Sequence, residues 1–227
     1  MKPVLDHGYL KLIESWGSDE RIIEAARMST GKGFNGWGVP GTPGDEKLLA
    51  YLYEHKHMTP FEMAGMVIEV KAPIFVFREW HRHRTQSYNE MSARYISLPD
   101  ENYVPTIERL MMSGGANKQA QSAGKVLSEE DAKIFRENLK DAYHACEAVY
   151  QIGLNWGVPK ELARLPVPVA RYSRMRASAN LRNWLQFLTL RMDPAAQWEI
   201  RQYANAVGGL IAEKFPYTWE LFVKEKI

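Results

Sequence analysis

Between Gly65 and Ala72 the chain alternates with a period of two. Met66, Ile68 and Val70 fall on one side, Val67, Glu69 and Lys71 on the other. That pattern is a strand with one buried face, so it must belong to a sheet whose apolar side is covered. Most of the remaining chain carries the helical period that can supply the cover. Ser18 to Met28 reads as a helix capped by Ser18, with Ile22, Ala25, Ala26 and Met28 as its stripe. Asp45 to Lys56 reads as a second, with Leu48, Leu49, Leu52 and Tyr53 on one side. Pro73 suits the first turn of a third, which runs on to Arg84. A loop and a short strand near Arg94 to Leu98 follow, and Pro99 ends that strand. Ser128 caps a long helix, on which Phe135, Leu139, Ala142, Cys146 and Val149 form a buried stripe. Two helices close the chain: Asn180 to Leu190, and one opened by Asp193 and Pro194 that runs to about Lys214. The expectation is one α+β domain over residues 1–227, predominantly helical, with a modest, mostly antiparallel sheet.

Composition excludes several classes. The single cysteine, Cys146, cannot form an internal disulfide, and nothing points to a secreted fold. On its apolar stripe it reads as a small core residue. The segment from Met1 to Gly17 lacks the apolar stretch of a signal peptide. No run approaches the roughly 18 apolar residues of a membrane span. A cytoplasmic protein without a membrane partner is expected. The net charge of +2 is too small to argue for a nucleic-acid coat, so no nucleic-acid partner is expected. Gly31, Gly33 and Gly36 have the GxGxxG spacing, but a helix precedes them and Pro40, Gly41, Pro43 and Gly44 forbid one after them. The stretch from Gly31 to Gly44 is a surface loop and not a dinucleotide fingerprint. Ser113 to Gly124 is low in apolar residues and reads as a second loop.

The chemistry concentrates between Trp80 and Tyr95. Arg82, Arg84 and Arg94 stand there with His83, Ser87, Asn89, Glu90 and Ser92. Arg82 to Arg84 fall at the expected end of the third helix, where cations suit the negative pole of the helix dipole. That does not account for the polar loop behind them. Arginine forks bind phosphate oxygens in bidentate fashion, and Asn89 and Glu90 can read the hydroxyl or imide edges of a nucleoside. Anion or nucleotide binding stands against a solvated charged face. A metal reading rests on His55, His57, His81 and His83. Residues two apart on a helix point in different directions, and the arginines beside His83 would repel a divalent cation, so no metal is expected. Further arginines follow at Arg164, Arg171, Arg174, Arg176, Arg182 and Arg191. Arg191 ends a largely apolar helix, so it is partly buried and needs an anionic or carbonyl partner. Asp193 and Glu199 are candidates.

Arg82-His83-Arg84, then seven residues, then Ser92, resembles the signature of the flavin-dependent thymidylate synthases. The segments from His57 to Glu62, Lys71 to Val76, Asn180 to Arg182, Leu190 to Asp193 and Ala196 to Ile200 resemble further family motifs in the same order. The resemblance implies conversion of dUMP to dTMP, with FAD as cofactor and methylenetetrahydrofolate and NADPH as co-substrates. It also implies a homotetramer whose active sites form where subunits meet. Residues matching the family's FAD contacts are Thr59, Arg82, His83, Arg84, Glu90, Asn180, Leu181, Arg182 and Gln186. Those matching the dUMP contacts are Glu79, Trp80, His81, Arg82, Glu90, Met91, Ser92, Ala93, Arg94, Arg164 and Arg191. Arg191 matches the arginine that polarises the uracil N3 edge, a catalytic role, and His57 matches a histidine near folate and flavin. Glu79 and Gln186 depart from the Gln and Asn of some members.

The residues suit such chemistry. A cysteine nucleophile needs an exposed thiol with a lowered pKa, and an apolar stripe disfavours the Cys146 thiolate. Ser92 has no Ser-His-Asp arrangement in sequence to activate it, so it is assigned to binding. The redox and carbon-transfer steps then fall to the flavin.

Overall fold

The computed structural model describes residues 1–112 and 127–226. Its sheet has five antiparallel strands in the order β1 (Lys2–Val4), β2 (Gly8–Trp16), β3 (Gly65–Pro73), β5 (Tyr172–Asn180) and β4 (Ser87–Glu90). β3 is central and pairs with β5 along its whole length. As its alternation requires, Met66, Ile68, Val70 and Ala72 are fully buried. They share one core with Trp80 of α3 (Ile74–Trp80), Trp184 and Phe187 of α7 (Leu181–Arg191), and Tyr203 and Val207 of α8 (Trp198–Lys214). The fold is α+β, as the periodicities imply. Among the described residues no helix is long and apolar enough to cross a membrane.

Two early helices form where the apolar period places them, the first with its side-chain cap. Ser18 accepts from the Arg21 N–H at the start of α1 (Asp19–Arg27), and α2 spans Glu46–Glu54. The glycine-rich segment between them forms no second helix before α2. Carboxylates hold it: Asp45 binds Arg27 and accepts from the Asn35 N–H at 2.7 Å, and Glu46 accepts from the N–H groups of Gly38 and Gly44.

Elsewhere the structure corrects the sequence reading. α3 stops at Trp80, so Arg82 to Arg84 lie beyond it, and Pro73 is its extended N-cap and not a first-turn residue. The segment from Arg94 to Leu98 is not a strand. The N–H groups of Tyr95 and Ile96 both return to the Ser92 carbonyl, closing a turn no strand could accommodate. The strand is β4, just before it. β1, β2 and β5 have no counterpart in the sequence reading: a bulge between Leu12 and Glu14 breaks the period of β2, and the buried residues of β5 are the mixed set Tyr172, Ser173, Met175, Ala177 and Ala179. The stripe on α5 (Glu129–Asn155) is not buried as expected, since Phe135 is 50% and Val149 57% exposed. The packed line is Ala132, Leu139, Tyr143, Cys146 and Tyr150, because α5 lies at the side of the molecule against α4 (Ile107–Met111) and α6 (Lys160–Ala163). Glu147 on α5 meets the fully buried Arg171, whose Nη1 also donates to the Pro99 carbonyl at 2.8 Å. α8 starts at Trp198, because Asp193 is occupied accepting from the Ala195 N–H in a local turn. A further helix, α9 (Pro216–Lys226), closes the chain; the buried Asp19 carboxylate accepts from the N–H groups of Tyr217 and Thr218 at its start. The loop expected at Ser113 to Gly124 lies outside the described residues.

Gly65 opens β3 where strand and indole nearly touch. A Cβ there would lie 2.3 Å from Trp16 Cζ2 and 2.5 Å from the Ala179 carbonyl oxygen. Gly65→Ala is expected to lower the unfolding free energy by about 2–3 kcal/mol, read from urea titration, because packed neighbours must shift.

Candidate active site

The signature turn is built on a buried indole. The Trp80 side chain is fully buried, stacked on Phe187 with ring centroids 4.6 Å apart, and its Nε1 donates to Gln86 Oε1 at 3.0 Å. Tyr88 Oη donates its one proton to the His83 carbonyl (2.7 Å), with the Trp80 carbonyl sharing it at 3.1 Å. With both ends pinned, residues 81–85 form a tight projecting turn, closed by bonds from the His83 N–H to the Trp80 carbonyl and from the Gln86 N–H to the His83 carbonyl. Arg82 and Arg84 are exposed on it, and no side-chain hydrogen bond or ion pair engages either one among the described residues. Two uncompensated guanidinium groups on a fixed turn suit a phosphate or diphosphate. His81 is exposed and turns to Tyr88 and to the Met175 sulfur.

His83 turns inward instead and is 8% exposed. Its Nε2 accepts from Arg191 Nε at 2.8 Å. Arginine can only donate, so the neutral imidazole carries its proton on Nδ1. Burial, and secondly the Arg191 charge, hold the His83 pKa down at about 4, against a smaller opposing pull from Glu79. Arg191 also donates from Nη1 to Glu79 Oε2 (2.8 Å) and from Nη2 to the Glu79 carbonyl (2.9 Å). Its partners are therefore Glu79 and His83, not the expected Asp193 or Glu199; Glu199 is taken by Arg109 and Tyr103. Three of the five guanidinium N–H groups are used, which leaves two. The arrangement fixes the fork and keeps donors for a carbonyl or imide edge.

A second group gathers where β5 passes into α7. Asn180 caps α7, accepting from the Asn183 N–H, and the buried Leu181 donates its N–H to the Ala64 carbonyl. Arg182 pairs with Glu62, and Gln186 stands exposed one turn on. Asn183 Nδ2 donates to the Thr85 carbonyl at 3.2 Å, which ties this group to the signature turn. Thr59 and His57 are exposed on the segment leading to β3.

The third group follows β4. Glu90 ends the strand opposite Met175, and the Met91 N–H donates to the Arg174 carbonyl. Ser92 Oγ accepts from the Arg94 N–H, and Ala93 is buried. Glu161 joins Arg94 (3.2 Å) to Arg164, which donates to its carbonyl at 3.4 Å, and Lys160 Nζ holds the Tyr95 carbonyl. No hydrogen bond or ion pair among the described residues joins this group to Arg191 and Glu79. Sequence reasoning missed Glu161, Gln86 and Asn183, which carry no motif, and Tyr88, whose anchoring role depends on the turn. Among the described residues no cluster of three or more His, Cys, Asp or Glu could hold a metal ion.

The family profile described as thymidylate synthase complementing protein matches residues 11–217. The chain belongs to the flavin-dependent thymidylate synthase family. The flavin-dependent thymidylate synthase of Thermus thermophilus is 42% identical over 220 residues, which are 97% of this chain and 77% of the relative. That of Thermosipho melanesiensis is 40% identical over 221 residues, 97% of this chain and 93% of the relative. Among solved structures, the UMP/dUMP methylase PolB from Streptomyces cacaoi, bound with 5-Br dUMP, superposes with a TM-score of 0.83 at 32% identity, covering 99% of this chain and 97% of that one. Membership makes the chain a flavoprotein methyltransferase of dTMP biosynthesis.

The depressed His83 pKa has a consequence for stability. The unfolded chain protonates His83 near pH 6.5, the folded chain only near pH 4. The fold's preference for neutral imidazole is fully present above pH 6.5 and is lost as pH falls toward 4. Guanidinium titrations at pH 7 and pH 5 should therefore show a smaller loss of stability for His83→Gln than for the wild type. Equal losses would remove this account.

Proposed function

We propose that the chain methylates dUMP to dTMP, taking the carbon from methylenetetrahydrofolate and reducing equivalents from NADPH, with FAD as the flavin. The observation that carries this reading is Arg191, fixed by Glu79 and His83 with two N–H groups to spare. Arg191 donates to the uracil edge and stabilises negative charge developing there. Arg82 and Arg84, with Thr59, Asn180, Leu181, Arg182, Gln186 and Glu90, hold the flavin. The partnerless arginines fit its diphosphate. When bound, the flavin supplies the redox chemistry. His57 lies near flavin and folate. Ser92, Arg94 and Arg164 hold the nucleotide, with Met91 and the backbone at Ala93 beside them. Trp80 acts through its backbone, since its indole is buried. Glu79, a carboxylate paired to Arg191, acts on the nucleotide chiefly through that arginine.

The same reading includes self-association. No hydrogen bond or ion pair among the described residues joins the Arg94–Arg164 group to Arg191, and on this reading a second copy completes the site. Exposed apolar residues suit a homotetramer, among them Phe135 and Val149 on α5, Trp156 (80% exposed) and Leu165 (77%). No cysteine nucleophile is needed: Cys146, the single thiol, is half-buried on α5.

Two measurements test the reading. The purified, FAD-supplemented protein should show a flavin absorbance spectrum and release tritium from dUMP labelled at C5 when folate and NADPH are present; a folded sample doing neither would falsify it. Arg191→Ala should keep the flavin spectrum and lose about a hundredfold or more in kcat/KM for dUMP. Wild-type turnover in that variant would deny Arg191 its role.

A further inference from the structure

Lys56 has a φ of 58°, in the left-handed region where a side chain costs free energy that glycine avoids. It closes α2 in the position where glycine is the usual residue: the His57 N–H returns to the Leu52 carbonyl and the Lys56 N–H to the Tyr53 carbonyl. Leu5, in the turn between β1 and β2, is the other non-glycine residue of this kind among those described. Strain of this sort points to a use for the side chain.

That side chain lines a cavity of about 500 Å³ between α2, α7 and α9. Met58, Leu185 and Phe222 give it an apolar floor, and Lys56, Arg182 and Gln186 give it polar walls. Arg182 and Gln186 belong to the stretch assigned above to the flavin, so the cavity opens beside that site. The chain already places a carboxylate there. Glu225 of α9 pairs with Lys56 Nζ and accepts from Tyr53 Oη at 2.9 Å. The Lys56 and Glu225 side chains are 58% and 50% exposed, so their ion pair is weak and a competing anion can replace it.

We infer that this cavity takes the anionic tail of a flat co-substrate that reacts at the flavin. Lys56 binds the tail's carboxylate or phosphate groups and Glu225 gives way to it, while Arg182, paired with Glu62, stays with the flavin. The inference rests on the function proposed above. Two tails share this chemistry: the glutamyl carboxylates of a folate and the 2′-phosphate of NADPH.

The test compares FAD-loaded wild type with Lys56→Gln. The KM is measured for monoglutamyl and triglutamyl methylenetetrahydrofolate and for NADPH and NADH. Lys56→Gln should raise the KM for one tail about tenfold, the effect of losing a charged hydrogen bond, with kcat nearly unchanged. Glu225→Gln should lower that same KM. Loss of the triglutamyl preference assigns the cavity to folate; loss of the NADPH preference assigns it to the nucleotide. If dTMP forms and all four KM values match the wild type, the inference is overturned while the function stands. If neither protein makes dTMP, the proposed function fails, and calorimetric titration of the same four compounds still decides this point: equal affinities for both proteins overturn it. Lys56→Gly separates binding from folding. Relief of the backbone strain should raise its Tm by about 2 °C while its KM worsens as in Lys56→Gln; a purely structural Lys56 would leave every KM in place.

Discussion

The burial of Trp80 is the contact on which the site depends. A stacked indole inside the core cannot shift without opening a void. Its N–H holds Gln86, and the Tyr88 hydroxyl holds the His83 carbonyl at the middle of the turn, close to that of Trp80 before it. The projecting arginines are therefore set by the core itself and not by loop conformation. A ligand bound there meets a surface organised in advance, which lowers the ordering cost of binding.

Behind that turn, the electrostatics are arranged to leave one arginine partly uncommitted. A protonated His83 would put a second positive charge against Arg191 and abolish the acceptor at Nε2. Burial prevents this at neutral pH. Glu79 supplies the opposite charge at the other end of the fork. An arginine held this way keeps its direction and retains donors for a partner whose charge grows during reaction. The family assignment and this geometry reinforce each other, because the match spans residues 11–217 and includes every residue of the group.

Much of this was legible in the sequence where a pattern had one physical cause. The alternation of β3, the Ser18 and Ser128 caps and the absence of a helix within the glycine-rich segment all follow from local chemistry. The errors arose where tertiary contacts decide. α3 ends early because Trp80 must stay in the core while Gln86 reaches back to it. Strand β4 has only Tyr88 as a large apolar residue, and its pairing with β5 is set by register, not propensity. The α5 stripe read as core because Phe135 and Val149 obey the helical period, but period cannot distinguish a core-facing stripe from an exposed one. For the site, the signature residues and Arg191 could be named from sequence. The partners that orient them could not, since Glu79 and Arg191 are 112 positions apart.

Arg171 is wholly buried, and its Nη groups meet partners from elsewhere in the chain: the Pro99 carbonyl, Asp100, and Glu147 on α5; its Nε has no partner among the described residues. A guanidinium inside the protein is tolerable only while such partners stay in place. Lifting α5 away would strip Glu147 from a cation with no route to water. The long helix is thus tied by a buried ion pair to Arg171, the residue just before β5. A helix that offers apolar side chains outward is thereby latched from within.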